Sequence, residues 1–149
     1  ALADDVPAER APVMCHNDAN SSNMVFDGER LFLLDWDTAG IHDPLYDLAT
    51  VAMFLRMDEP TCLRLLAAHD GRPSSSLLAR FVAQRRIVGA LCGALLLRMT
   101  GAVAGPESAK SALGLGDVYA RLRAGSLSIG APDGMRMFAI ALIKESLAT

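Results

Sequence analysis

The sequence predicts an α+β chain, mainly helical, in which a small β-hairpin carrying polar loops packs on about five helices. Three observations predict this. Residues 12–35 alternate short apolar runs with polar, turn-forming ones, at lengths that suit strands. From Pro44 onward apolar residues recur at helical spacing. Asp43, Asp58 and Ser74 each precede such a segment, where a helix needs a side-chain cap.

Pro12-Val-Met-Cys15 is an apolar run leading into a loop that opens at His16. Residues 23–26 and 31–34 flank Asp27-Gly28-Glu29-Arg30, whose Asp-Gly pair is a strong hairpin signal. Residues 31–34 are apolar throughout, which predicts a strand covered on both faces. Leu45, Leu48, Ala49, Ala52 and Leu55 share one face of a first helix, with Asp43 as N-cap and Pro44 in the first turn. A second helix runs from about residue 59 to 69, capped by Asp58 and ended by Gly71; Ser74 caps a long third reaching about Met99. Two more follow, roughly 107–124 and 133–147, the first weakened by Gly114 and Gly116.

With 149 residues, 52% hydrophobic and 21% charged, the chain reads as a single domain spanning 1–149, long enough to bury a core. A net charge of −3, two lysines (Lys110 and Lys144) and scattered arginines argue against a nucleic-acid partner, which needs a basic face. Cys15, Cys62 and Cys92 lie in apolar contexts without a CxxC, and read as buried thiols of a reducing cytoplasm. The N-terminus is acidic and lacks the apolar core of a signal peptide. The longest uncharged apolar run, residues 87–97, is too short to span a bilayer and fits a buried helix. The expectation is a cytoplasmic protein with no membrane partner.

The chemistry concentrates in His16-Asn17-Asp18-Ala-Asn-Ser-Ser-Asn23, followed twelve residues later by Asp35-Trp36-Asp37. An Asp, an Asn five positions on and a second Asp beyond a short hairpin are the parts of a phosphoryl-transfer site: one carboxylate orients a hydroxyl, while an amide oxygen and a carboxylate hold Mg²⁺. Each residue also has a plainer reading. Asn23 alone is a loop or strand-start residue, and Asp43 and Asp47 alone are helix-terminus residues; Asp43 keeps that reading. His42 reads as an exposed loop histidine, His69 as a residue near a helix C-terminus, and Trp36 as packing behind the loop. The plain reading is weakest for Asp18 and Asp35, each at the mouth of an apolar strand, where an unpartnered carboxylate is costly.

Two other patterns carry less. Gly114-Leu-Gly116 starts like a phosphate loop but lacks the third glycine and follows helical sequence, so it reads as a helix break. His42-Asp43 and His69-Asp70, with His16, suggest an all-helical metal-dependent phosphohydrolase. That chemistry needs its ligands on helices, and His16 and His42 fall in loops.

On three ordered motifs the chain resembles the aminoglycoside phosphotransferase and choline/ethanolamine kinase family, which has the protein-kinase-like fold. They are His16-Asn-Asp18-x4-Asn23, Leu33-Leu34-Asp35-Trp36-Asp37-x-Ala39-Gly40 and Asp43-Pro44-x-Tyr46-Asp47-Leu48-Ala49, within about residues 12–55. The His-Asn-Asp form leans toward the choline/ethanolamine kinase branch, whose bacterial members often carry Glu where this chain has Asp37. The resemblance implies that Asp18 is the catalytic base, Asn23 and Asp35 are Mg²⁺ ligands, and His16 braces the catalytic loop. It further implies that Asp47 accepts hydrogen bonds from that loop, and that Asp37 serves substrate or the surroundings of the metal. ATP and Mg²⁺ are the implied cofactors.

The resemblance also implies an N-terminal nucleotide lobe with a phosphate-covering loop and a lysine. Only fifteen residues precede His16 and none is Lys, so the chain reads as the kinase-like C-terminal lobe alone. Alone it is expected to bind nucleotide weakly and to expose apolar surface that favours a homodimer. The acceptor is a small-molecule alcohol, either an amino alcohol such as choline or an aminoglycoside. A choline site calls for aromatic faces, for which the helical region offers Tyr46, Phe54, Phe81, Tyr119 and Phe138. An aminoglycoside calls for an acidic rim, to which Asp37, Asp58, Glu59 or Asp117 could contribute. A non-catalytic binding or scaffold module, or an inactive fragment, is the alternative of another class; the presence of Asp18, Asn23 and Asp35 together argues against decay.

Overall fold

The computed structural model describes residues 11–102 and 112–148. Its elements are β1 (Val13–Cys15), a 3₁₀ turn (Ser21–Asn23), β2 (Met24–Phe26), β3 (Leu31–Leu33), β4 (Gly40–His42), α1 (Pro44–Phe54), α2 (Glu59–Asp70), α3 (Ser75–Met99), α4 (Leu115–Arg123) and α5 (Pro132–Leu147). The mainly helical α+β class stands, with five helices among the described residues. The chain divides into two compact units, Ala1–Arg85 and Arg86–Thr149, with the boundary inside α3.

In the first unit the strands form two separate antiparallel pairs, β1 with β4 and β2 with β3. The β2–β3 hairpin pairs Met24 with Leu33 and Phe26 with Leu31. Its turn is closed by Asp27, whose Oδ1 accepts from the backbone N–H of Glu29 (2.9 Å) and Arg30 (2.8 Å). The bonds from Arg30 and Glu29 also hold the Asp27 carboxyl below its usual range. Gly28, at φ 105°, supplies the left-handed backbone this turn requires.

Two expectations are corrected here. Residues 31–34 are not covered on both faces: Leu31 is 61% exposed, Phe32 45% and Leu34 48%. The hairpin is a two-stranded ribbon rather than an inner strand of a sheet, and an apolar run does not distinguish the two. Strand β4 goes beyond the expected elements; its three residues, Gly40, Ile41 and His42, carry almost no pattern, and pairing with β1 makes them a strand.

The helix starts follow from their caps. Asp43 Oδ1 accepts from Leu45 N (2.9 Å) to open α1, Asp58 Oδ1 from Thr61 N (3.0 Å) to open α2, and Ser74 Oγ serves Leu77 N (3.1 Å) at the start of α3. α1 buries Leu45, Ala49 and Ala52, as its spacing implies. Leu55 instead falls at the C-cap and is exposed. Gly71, at φ 80°, ends α2.

In the second unit, Leu97 of α3 is buried with Ala139 and Ile140 of α5, and Tyr119 of α4 meets Phe138 of α5 edge-on at 5.6 Å. Gly93 permits the close approach of α3 and α5: a Cβ there would lie 2.7 Å from both Ala139 O and Ile143 Cγ1. α4 begins at Leu115, later than expected, because Gly114 is extended and serves as its N-cap. The earlier part of the expected helix, residues 107–111, lies outside the described residues. Among the described residues no helix is long and apolar enough to cross a membrane.

Candidate active site

The site is built where β1 ends. Cys15 and His16 are each 2% exposed, and the chain then turns through Asn17 at φ 63°, a left-handed conformation that Asn tolerates better than most residues. Three anchors hold this turn. Asp47, in the first turn of α1, accepts from the backbone N–H of His16 through Oδ2 (2.7 Å) and of Asn17 through Oδ1 (2.8 Å). Thr38 Oγ donates to His16 O (3.0 Å), and Asn17 Nδ2 donates to Thr38 O (3.0 Å). His16 Nε2 lies 2.8 Å from Leu34 O, beside the end of the hairpin.

That last contact sets the tautomer of His16. A carbonyl can only accept, so Nε2 carries the proton and Nδ1 is the acceptor for Asp18 N–H (3.3 Å). One neutral imidazole therefore ties the Asp18 loop to the hairpin. Trp36 lies against it at 4.7 Å between ring centroids, with its Nε1 donating to Leu33 O (3.0 Å). Trp36 is nonetheless half open to solvent, so it covers the histidine from outside.

Asp18 is held by amides on both oxygens. Asn20 Nδ2 donates to Oδ1 and Asn23 Nδ2 to Oδ2, each at 2.9 Å. Asn23 Nδ2 also reaches Asp18 O (3.0 Å). The Oδ1 of Asn20 in turn accepts from Ser22 N (2.8 Å) and from the Ser22 hydroxyl, capping the 3₁₀ turn that delivers Asn23. The carboxylate is thus fixed in orientation with no ion pair among the described residues, and both oxygens keep lone pairs for a further donor.

The hairpin register brings the second acidic residue to the Asn23 end of the ribbon. Leu34 N donates to Asn23 O (2.8 Å), so Asn23 and the residue after Leu34 share one end of β2–β3. That residue is Asp35, exposed and at φ 59°. Two of the three non-glycine residues with positive φ among the described residues, Asn17 and Asp35, therefore flank this site, where backbone strain is often concentrated. Asp37 lies exposed in the turn closed by Ala39 N and Trp36 O (3.0 Å).

Of the residues singled out from sequence, His16, Asp18, Asn23 and Asp47 are joined by direct or loop-backbone hydrogen bonds, Asp35 adjoins them through the hairpin, and Asp37 sits on the neighbouring turn. Three further contributors, Asn17, Asn20 and Thr38, escape a reading of the sequence. Asn20 has a signal, since it follows Asp18 by two in an Asx-rich run; Thr38 has none, because its contact spans twenty-two residues of sequence. Asp43 is the α1 cap and also pairs with Arg80 (2.9 Å). His69 lies against its neighbour Asp70 (3.1 Å), and no three His, Cys, Asp or Glu side chains among the described residues gather as a metal cage, so the all-helical phosphohydrolase arrangement does not form there.

Comparison with known proteins bears on the fold and the family. The crystal structure of a choline/ethanolamine kinase family protein from Mesorhizobium loti superposes with a TM-score of 0.51 at 22% identity, over 88% of this chain and 44% of that one. The likeness shows a shared kinase-like fold. Protein LicA of Haemophilus influenzae is 49% identical over 37 residues, which are 25% of this chain and 14% of that protein. This chain thus spans under half the length of the solved structure, and its match to LicA is shorter still. The family model of the phosphotransferase enzymes matches residues 1–81, over half the chain and containing every residue of the Asp18 site. By that match this chain belongs to the phosphotransferase enzyme family.

Proposed function

We propose that the protein to which this chain belongs is an ATP- and Mg²⁺-dependent O-phosphotransferase acting on a small alcohol, of the choline/ethanolamine kinase type, with Asp18 as base. The observation that carries this reading is the clamped carboxylate: Asn20 and Asn23 orient Asp18 while leaving acceptor capacity on both oxygens. In the reaction an acceptor hydroxyl oxygen bonds to the γ-phosphorus, the bond to the bridging oxygen of ADP breaks, and the hydroxyl proton passes to Asp18.

The donor set fits Mg²⁺. Asn23 spends its Nδ2 on Asp18, which leaves Oδ1 as a hard oxygen donor, and Asp35 offers an exposed carboxylate at the same hairpin end. One or two protein oxygens, with the rest supplied by phosphate and water, is the coordination Mg²⁺ prefers. When bound, the ion supplies charge neutralisation on the transferring phosphate. His16 and Asp47 hold the loop that presents Asp18, and Asp37 faces the acceptor side in this reading. The nucleotide lobe belongs to the remainder of the protein, so the chain alone is expected to be inactive.

The test uses the full-length protein with choline, ethanolamine and kanamycin as acceptors, reading ATP consumption. Asp18→Ala is expected to lower turnover by about 10²- to 10⁴-fold with thermal unfolding little changed. Unchanged turnover in that variant would remove the mechanism. Preference for kanamycin would reassign the acceptor and leave the chemistry intact.

A further inference from the structure

In the first unit, α2 and α3 border a half-open cavity of about 260 Å³ that the phosphotransfer site does not use. Leu78, Phe81 and Val82 of α3 form an apolar wall, the buried Cys62 of α2 and the half-buried Arg85 of α3 complete the lining, and Glu59 stands at the exposed rim. Phe81 and Cys62 are almost completely buried, Leu78 is half-buried and Val82 is exposed, so the wall runs from the core to the surface.

Arg85 is the unusual member. It is half-buried, and no described carboxylate lies within ion-pair distance of it. Its Nη1 donates instead to Cys62 Sγ at 3.3 Å, a weak acceptor. That sulfur is a neutral thiol: burial pushes it above its usual range, outweighing the opposing effect of Arg85, and its S–H donates to Met57 O at 3.7 Å. The guanidinium charge is therefore not neutralised within the described fold, and a partly desolvated cation of this kind is stabilised by any anion that reaches it. A planar fork of N–H donors above an apolar wall suits a flat, singly charged head with an apolar body. Glu59 at the rim disfavours a doubly charged head by like-charge repulsion.

We propose that this cavity binds a small apolar carboxylate, with Arg85 receiving the carboxylate and Leu78, Phe81 and Val82 holding the body. The site is independent of the phosphotransfer reading, and its test involves no turnover.

Benzoate, benzamide and phenyl phosphate are titrated into the full chain, following amide shifts by NMR. Benzoate is expected to saturate, shifting α2 and α3 signals around Cys62 and Val82, and to bind at least about tenfold more tightly than the neutral benzamide. Arg85→Gln is expected to weaken benzoate by about tenfold or more, and Glu59→Gln to tighten it about two- to threefold. Val82→Trp, which retains Arg85 and fills the space, is expected to abolish binding and decides the matter if Arg85→Gln fails to fold. No saturation by benzoate, equal binding of benzamide, tighter binding of phenyl phosphate, or full affinity in Val82→Trp would each overturn the proposal.

Discussion

Asp47 Oδ2 lies 2.7 Å from the backbone nitrogen of His16, and the other oxygen of the same carboxylate takes the next N–H, that of Asn17, at 2.8 Å. A side chain in the first turn of α1 therefore satisfies two successive donors of the loop that presents Asp18. The loop has positive φ at Asn17 and cannot satisfy those donors by continuing β1.

Removing this carboxylate orphans two backbone donors at once. Asp47→Ala is expected to lower unfolding free energy by about 2–4 kcal/mol, since hydrogen bonds to charged groups are worth about 1.5–3 kcal/mol each. Asp47→Asn keeps one acceptor and should lose roughly half as much. Chemical denaturation measures both, and hydrogen exchange at His16 and Asn17 should accelerate in both. Unchanged exchange would show that the loop holds itself.

Asp43 separates a cap from an ion pair. Its Oδ1 caps α1 and its Oδ2 pairs with Arg80. Asp43→Asn retains the cap and should cost less than about 1 kcal/mol, the range for a partly exposed pair. Asp43→Ala loses both and should cost about 1–3 kcal/mol. Equal losses, compared by urea unfolding, would assign the whole effect to the ion pair.

Asp58 gives a pH signature. Hydrogen bonds from the Thr61 side chain and then its backbone hold this carboxyl below its usual range in the folded state. A depressed folded value means that the contribution is fully present above the unfolded value, about 3.9, and is lost as pH falls through the folded one. Wild type should therefore melt above Asp58→Ala by a constant margin from pH 8 to about pH 5. The margin should shrink as pH falls below about 4; a margin independent of pH would assign the charge of Asp58 no part in the cap.

Two glycines in the second unit should respond with opposite signs. A Cβ on Gly134 would strike the backbone oxygen of Ser128, with the carbonyl carbon only 2.8 Å away, whereas one on Gly116 meets nothing within 4 Å. Gly134→Ala is expected to destabilise by about 1–3 kcal/mol or more, and Gly116→Ala, within α4, to stabilise by up to about 1 kcal/mol. Thermal unfolding of both variants checks the pair.

Much of this protein is legible residue by residue. Asp43, Asp58 and Ser74 mark helix starts, and Asp27-Gly28 marks a hairpin, because caps and turns are satisfied by neighbours a few positions away. The spacing of Asp18, Asn23 and Asp35 is visible for the same reason: a five-residue loop and one hairpin connect them. Burial is less legible, since an apolar run such as residues 31–34 has the same composition in an inner strand as in an exposed ribbon.

The sequence by itself determined most helix boundaries, the hairpin and the oxygen-bearing residues of the candidate site, all of which depend on local hydrogen bonding and period. Tertiary structure alone decided that β4 is a strand, that Thr38 reaches back to the His16 loop, and that Arg85 faces a thiol instead of a carboxylate. Most of these contacts join residues twenty or more apart. No local propensity encodes such a partner, and it is set only when packed helices and paired strands bring the two ends together.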